Sequence, residues 1–308
     1  MTRRPPGTPY RTTGDPTGAV AGRASRSTSD PTAAVAGRAR RSTSDPTAAV
    51  AGRARTLRAL HRPGEPLVLP NIWDGASARI VRDAGCPVAA TSSAAVAEAL
   101  GYRDGEATPV GEMLDAIARI AAAVTIPVTA DLERGYGLAP AELVERLAAA
   151  GAAGCNLEDS DPRTGKLVDA DEQAAYLEAV RTAGRRAGLD LVVNARVDTY
   201  LAGTGTPADR LAEAVRRARL YLAAGADCVY PILATDPEAI ATLVGESGGP
   251  VNILYRPATP PMPSLADLAR LGVARVSFGA GLHRAVQVHL TRMVTDINAG
   301  RSPCAAPA

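Results

Sequence analysis

From residue 65 onward the chain alternates short apolar runs with longer stretches whose apolar residues recur at helical spacing. The short runs are PLVLPN (66–71), PVAATS (87–92), IPVTAD (126–131), GCNLED (154–159), LVVNAR (191–196), ADCVYP (226–231), PVNILY (250–255) and ARVSFG (274–279). Near-continuous apolar runs are what strands show when both faces of a parallel sheet are covered. Helices are expected between them, over 75–84, 109–123, 139–150, 170–186, 207–224, 236–244, 264–271 and 281–299. Gly85, Gly151 and Gly225 stand where a helix must stop before the next strand. Eight strand–helix units in roughly 250 residues make an α/β fold of the (β/α)8 TIM-barrel type. The competing architecture, a doubly wound open sheet, lacks a Gly-x-Gly-x-x-Gly after its first strand.

Ahead of this body, residues 15–29 (DPTGAVAGRASRSTS), 30–44 (DPTAAVAGRARRSTS) and 45–59 (DPTAAVAGRARTLRA) repeat with a period of 15. Each copy carries too little apolar surface to build a solenoid. Residues 1–44 are expected to be a disordered basic arm, 45–300 the barrel, and 301–308 a flexible tail. Residues 1–58 hold 11 Arg against three Asp, although the whole chain carries a net charge of only +2. A basic arm therefore precedes a mildly acidic body. The arm reads either as an anionic-surface or transit-peptide-like segment or as a duplication without a role in catalysis. On the second reading its removal leaves activity intact.

Composition narrows the classes further. With 46% hydrophobic and 21% charged residues the body reads as ordinary globular protein. One Trp, eight Tyr and one Phe leave the core to Ala, Val, Leu and Ile and argue against a nucleic-acid stacking platform. The only lysine is Lys166, so a Walker-type phosphate loop is excluded. Cys86, Cys155, Cys228 and Cys304 form no zinc or Cys-x-x-Cys spacing and read as thiols in a reducing compartment. No apolar run reaches the roughly 18 residues of a membrane helix, and Met1 is not followed by a signal core, so a cytoplasmic protein without a membrane partner is expected.

A barrel carries its chemistry at the carboxyl ends of its strands. The polar residues there are Asn71, Asp74, Ser92, Ser93, Asp131, Glu133, Glu158, Asp159, Asn194, Arg196, Tyr230, Asn252 and Arg256. Asp131, Glu133 and Glu158 would converge, a costly arrangement unless a cation sits among them. An all-oxygen set suits Mg²⁺ or Mn²⁺. The alternative is ion pairing of these carboxylates with Arg134, Arg163 or Arg196. Arg196 is aimed into the same mouth, where its planar fork suits a carboxylate or phosphoryl group.

The segments PNIWDGASARIVRDAG, TSSAAVAEALGYRDGE, VTADLERGYG, AGAAGCNLEDSD, VVNARVDTYL and VNILYRPATPPMPSLADLARLGVARVSFG, in this order, resemble the phosphoenolpyruvate mutase/isocitrate lyase superfamily over about residues 54–300. The resemblance implies a Mg²⁺-dependent barrel acting on small 2-oxo or 2-hydroxy carboxylic acids through an enolate-like intermediate. It implies Asp131 as direct metal ligand, with Glu133 and Glu158 holding the metal through waters. Ser92 and the amides around Ser93 and Ala94 would bind the substrate carboxylate, joined by Arg196, with Asn252 a further substrate-binding candidate. Asp104 matches the acidic residue that approaches the transferred group. The superfamily also implies a tetramer or dimer built through the last helix.

Two departures matter. Glu133 stands where the superfamily carries a second Asp. The segment after strand 4, EDSDPRTGKLVDADEQ, lacks the Cys and His of the lyase lid, which removes a thiol acid or base there. Arg163 or Lys166 would instead cover a phosphoryl or carboxylate group, as in the phosphonomutase branch, and Tyr136 or Asp104 would supply a proton if the reaction were carbon–carbon cleavage. Phosphonopyruvate/phosphoenolpyruvate mutase-like or decarboxylase-like chemistry is expected, with a Cys-independent lyase or a non-catalytic acid-binding or partner-binding barrel as alternatives.

Overall fold

The computed structural model describes residues 46–257, 259 and 261–303. The repeat arm over 1–44 and the last five residues of the expected tail lie outside the described residues. The elements in chain order are α1 (Pro46–Ala59), β1 (Leu67–Leu69), β2 (Asn71–Ile72), α2 (Gly75–Asp83), β3 (Ala89–Thr91), α3 (Ser93–Leu100), α4 (Val110–Ala122), β4 (Val128–Asp131), α5 (Pro140–Ala149) and β5 (Gly154–Leu157). There follow α6 (Ala170–Arg186), β6 (Val192–Val197), α7 (Thr199–Ala202), α8 (Pro207–Ala223), β7 (Cys228–Pro231), α9 (Pro237–Glu246), β8 (Asn252–Leu254), α10 (Leu265–Arg270), β9 (Arg275–Ser277) and α11 (Gly281–Asn298).

All strand pairs are parallel, in the orders β2-β3-β4-β5-β6-β7 and β1-β9-β8. β1 and β2 are one strand interrupted at Pro70, which has no N–H to give a ladder. Its first half pairs with β9 and its second with β3. A parallel bridge between Val229 and Val251 joins β7 to the β8 side, so the eight expected strands follow one another around a ring. The main core lies between strands and helices: Ala130, Leu157, Val193, Val229 and Val276 meet Met113, Ile117, Leu143, Leu147, Leu177 and Leu268.

Three helices escaped the sequence pattern: α1, α3 and α7. α1 is the third copy of the repeat. Its residues Val50, Ala54 and Leu57 are buried, the spacing of one helical face. Ala54 and Leu57 close the amino-terminal end of the barrel against Leu67, Leu69, Val88, Ala90, Ala153 and Val192. Gly154 permits that approach, since a Cβ there would stand 3.0 Å from Leu57 Cδ2 and 2.6 Å from the Val192 carbonyl. Arg58 fastens the helix end through Asp227 (Nε–Oδ1 2.6 Å) and Asp190 (Nη1–Oδ2 3.0 Å). Copies one and two have Ser at the Leu57 position and Thr at the Arg58 position.

Candidate functional site

Asp131 ends β4, and both of its carboxylate oxygens are held. Oδ2 accepts from the Ser93 amide and hydroxyl, each at 3.0 Å. Oδ1 accepts from the Asn156 side-chain amide at 3.0 Å. Ser93 is the first residue of α3, whose cap is the buried Ser92, its hydroxyl accepting from the Ala95 amide. The amino end of a helix thus faces a carboxylate, a favourable arrangement for its dipole.

The loop leaving β4 is wound through left-handed backbone, with φ of 50° at Glu133, 95° at Gly135 and 57° at Tyr136. A Cβ at residue 135 would lie 2.7 Å from the Tyr176 hydroxyl, so only glycine fits there. The two strained non-glycine residues are cross-tied to a third, Glu106, which also has positive φ (58°). Glu133 accepts from the Tyr136 hydroxyl at 2.9 Å and the Glu106 amide at 2.6 Å, and Glu106 accepts from the Tyr136 amide at 2.6 Å. Strain of this kind persists where surrounding contacts over-determine the backbone. Burial, and then the charges of Asp104 and Asp131, push the Glu133 carboxyl up to about 7.

Glu158 follows β5 and is ion-paired to Arg196 Nη1. Arg196 is fully engaged: Nε and Nη2 also grip Asp198 at 2.6 and 3.1 Å. Burial raises Glu158 well above the carboxylate range, opposed by Arg196 and reinforced by Asp198, Asp131 and Glu133. Its neighbour Asp159 turns the other way, wholly buried, accepting from Arg217 (2.9 Å), Tyr221 (2.7 Å) and the Asp198 amide (2.8 Å). That residue ties strand to helix layer.

A cavity of about 570 Å³ opens at these strand ends and is lined by Ser92, Ser93, Ala94, Asp104, Asp131, Asn156 and Arg196. Its opposite wall comprises Leu233, Leu254, Tyr255, Arg256, Phe278 and Arg284 among others. Asp104 sits on an exposed turn, and partial burial followed by the Asp131 charge raises its carboxyl. Expected residues not on this wall are Glu158, which is paired to Arg196, Glu133 and Tyr136, which bond each other, and Asn252, which accepts from Ser277. Arg163 projects into solvent beside Asp161 at 3.2 Å and lines a separate cavity of about 310 Å³ with Glu106, Arg134 and Tyr176. Asn156 and Arg275, inside the motif segments, and Arg284, beyond them, are residues to which sequence reasoning assigns no role. Asp74 caps α2 in a capping box with Ser77, and Trp73 stands edge-on to His283 at 4.8 Å.

Among the described residues no three His, Cys, Asp or Glu side chains stand together as a ready metal cluster. The donor chemistry nevertheless fits a hard cation. Asp131 lines the cavity, and, after burial, its charge is among the causes that raise the carboxyls of Asp104, Glu133 and Glu158. Carboxylates gathered in this way suit a hard divalent cation better than a soft one.

Such a mouth at the carboxyl ends of parallel strands is where barrel enzymes carry their chemistry. The sequence profile of the phosphoenolpyruvate phosphomutase family matches residues 57–298, and the chain belongs to that family, within the phosphoenolpyruvate mutase/isocitrate lyase superfamily of enzymes. It is 37% identical over 242 residues to the Mycobacterium tuberculosis protein MT2054, covering 77% of this chain and 88% of that protein. Phosphoenolpyruvate phosphomutase of Streptomyces hygroscopicus is 31% identical over 227 residues, 70% of each chain. The crystal structure of a phosphonopyruvate hydrolase with oxalate and Mg²⁺ superposes with a TM-score of 0.69 at 27% identity, covering 81% of this chain and 88% of that one.

Proposed function

We propose that the protein is a Mg²⁺-dependent enzyme, with Mn²⁺ as substitute, that breaks or rearranges a bond beside the enolate-forming carbon of a small 2-oxo or 2-hydroxy carboxylic acid. The observation that carries this reading is the single cavity onto which Ser92, Ser93, Ala94, Asp104, Asp131 and Arg196 converge. Asp131 would hold the metal directly, with Glu133 and Glu158 behind it through water. The ion, when bound, supplies positive charge for an oxygen that becomes an enolate. Ser92, Ser93 and Ala94 orient the acid's carboxylate at the start of α3. Arg196 lends its positive charge to the same wall while fixed by Asp198 and Glu158. Asp104 faces the transferred group and holds or receives a proton at its carboxylate.

Phosphonopyruvate-type or decarboxylase-type chemistry fits better than the thiol-dependent lyase reaction, because the hairpin after β5, closed by a Ser160–Leu167 bridge, offers neither Cys nor His. Arg163 and Lys166 on this hairpin would reach the mouth only by its closing inward. One side of α11 supports a homo-oligomer: Val286, Leu290, Val294 and Ile297 are 46–56% exposed, a stripe that a second copy would cover. No helix among the described residues is long and apolar enough to cross a membrane. The free thiols Cys86, Cys155 and Cys228 suit the reducing cytoplasm.

Calorimetric titration tests the reading directly. Oxalate, a mimic of the planar enolate, should bind the native protein only with Mg²⁺ present and should not bind Asp131→Ala. Equal oxalate binding with and without the metal contradicts it.

A further inference from the structure

Around the ring of eight strands, β4 and β8 stand opposite each other, as do β3 and β7, and β5 and β9. The mouth therefore has two halves. Ser92, Ser93, Asp131 and Asn156 belong to the ends of β3, β4 and β5, and the loops after β7, β8 and β9 face them across the cavity. That far half presents mainly carbon, from Ile232, Leu233, Leu254, Tyr255, Phe278 and Leu282. Its Ser277 hydroxyl is turned to Asn252 Oδ1 at 3.3 Å. Leu254 is 8% exposed, Tyr255 half-buried and Arg256 exposed, so the apolar surface lies deep and the guanidinium at the rim.

This wall is fixed in place. Tyr255 and Phe278 meet edge to face, with ring centroids 5.6 Å apart and planes at 71°. Asn71 Oδ1 accepts from the amides of Phe278 (2.7 Å) and Gly279 (3.0 Å), which ties the loop after β9 to the first strand. Leu233 is held against its own backbone preference. The turn over 231–234 is closed by the Ala234 amide donating to the Pro231 carbonyl at 3.3 Å, and Leu233 stands third in it with a φ of 66°. Glycine or asparagine ordinarily takes that place, and a leucine there is strained. Strain of this kind clusters at ligand sites.

Cavities of about 300–1,000 Å³ ordinarily take ligands of drug size. Oxaloacetate and phosphonopyruvate are far smaller than the roughly 570 Å³ of this one, and neither has apolar carbon to set against the far wall. Resting on the reading of this mouth as a metal–acid site, we propose that its substrate is a 2-oxo or 2-hydroxy acid bearing an apolar side chain of several carbons. The acid end lies at Asp131 and Ser93, and the side chain lies against Leu233, Leu254, Tyr255 and Phe278. Burying that chain supplies affinity that the short acids lack. The strained turn is kept because the Leu233 side chain completes the wall. Arg256, at the rim, stays clear of the side chain and free for a second acidic group.

Displacement calorimetry on the full chain with Mg²⁺, with oxalate as the displaced ligand, tests this using pyruvate, 2-oxobutanoate, 2-oxopentanoate and 2-oxohexanoate. Affinity should rise about fourfold per added methylene, the gain from burying one CH2 group. Leu233→Gly should cut the ratio of the longest acid to pyruvate about fourfold, the same gain lost once. Its urea midpoint should stay near the native one, because glycine takes left-handed backbone without strain. Phe278→Ala should cut the ratio at least as much. A flat series with oxalate still bound overturns this inference alone. So does a series that stays as steep in both variants. Absence of Mg²⁺-dependent oxalate binding overturns the metal–acid reading and this inference with it.

Discussion

Asn156 holds Asp131 in one orientation. Its Nδ2 donates to Asp131 Oδ1 at 3.0 Å, while its own Oδ1 accepts from Asn194 Nδ2 at 2.8 Å and Arg275 Nη2 at 3.3 Å. Two donors on the oxygen fix which end of the amide faces the carboxylate, so the aim of Asp131 is set from two strands away. Groups that orient a metal ligand in this manner are typically worth about 10–100-fold in metal affinity. Asn156→Ala should therefore weaken Mg²⁺ by that factor while Asp131 is still present. Calorimetry reads it, and an unchanged dissociation constant removes Asn156 from the site.

Across the cavity from Asp131, Arg256 after β8 and Arg284 in the first turn of α11 line the wall. Arg196 is held in place by Asp198 and Glu158, so these two are the further cations placed to meet a second acidic group on the substrate. Arg256→Gln and Arg284→Gln should each raise KM for oxaloacetate or phosphonopyruvate about tenfold, the loss expected for one charge-assisted hydrogen bond. A change confined to kcat would place them elsewhere in the reaction.

The barrel floor predicts a sharp boundary between dispensable and required sequence. Removing residues 1–44 should leave the urea midpoint and turnover unchanged. Removing residues 1–59 takes away α1 and exposes the cluster under Leu57, and the product should be insoluble or unfolded. Leu57→Ala alone should cost about 2–5 kcal/mol, as large-to-small core changes do. Denaturant titration separates these outcomes, and equal stability of both truncations would contradict the plug.

The alternation of apolar runs and helical stretches was enough to read all eight strands and the eight helices between them, because parallel strands covered on both faces leave an unmistakable signal. α1 was illegible because its sequence is nearly that of the two preceding copies, from both of which it differs only in its last four residues, Thr56, Leu57, Arg58 and Ala59. α3 begins directly after β3 with small residues, and α7 is a single turn. In the site, the motif residues Ser92, Ser93, Asp104, Asp131 and Arg196 were readable and do meet. Glu133 and Tyr136 were also readable by motif, yet left-handed backbone turns them to each other. Asn156 and Arg275 were not readable, since an interior polar residue in a strand looks the same as a structural one until its partners across the barrel are known.

His61 gives the fold an acid-side dependence. Its ring is buried, its Nδ1 donates to the Leu57 carbonyl at 2.9 Å, and burial together with Arg275 lowers its pKa from 6.5 to about 4. The unfolded chain therefore binds a proton that the folded chain refuses between those values. This contribution to stability is complete above pH 6.5 and is lost as the pH falls to about 4, by about 3 kcal/mol in total. Urea midpoints across that window should fall less steeply for His61→Asn than for the native protein. Parallel curves would show that the ring does not titrate as described.

The central claim is metal-dependent chemistry on a small acid at Asp131. The most direct measurement incubates the protein with phosphonopyruvate, oxaloacetate or methylisocitrate, with Mg²⁺ or with a chelator, and follows each by proton and phosphorus NMR. The account predicts turnover of phosphonopyruvate or oxaloacetate in the presence of Mg²⁺, its loss with chelator, and at least about a 100-fold reduction in Asp131→Ala. Turnover that persists in the chelator, or in Asp131→Ala at the native rate, would contradict it.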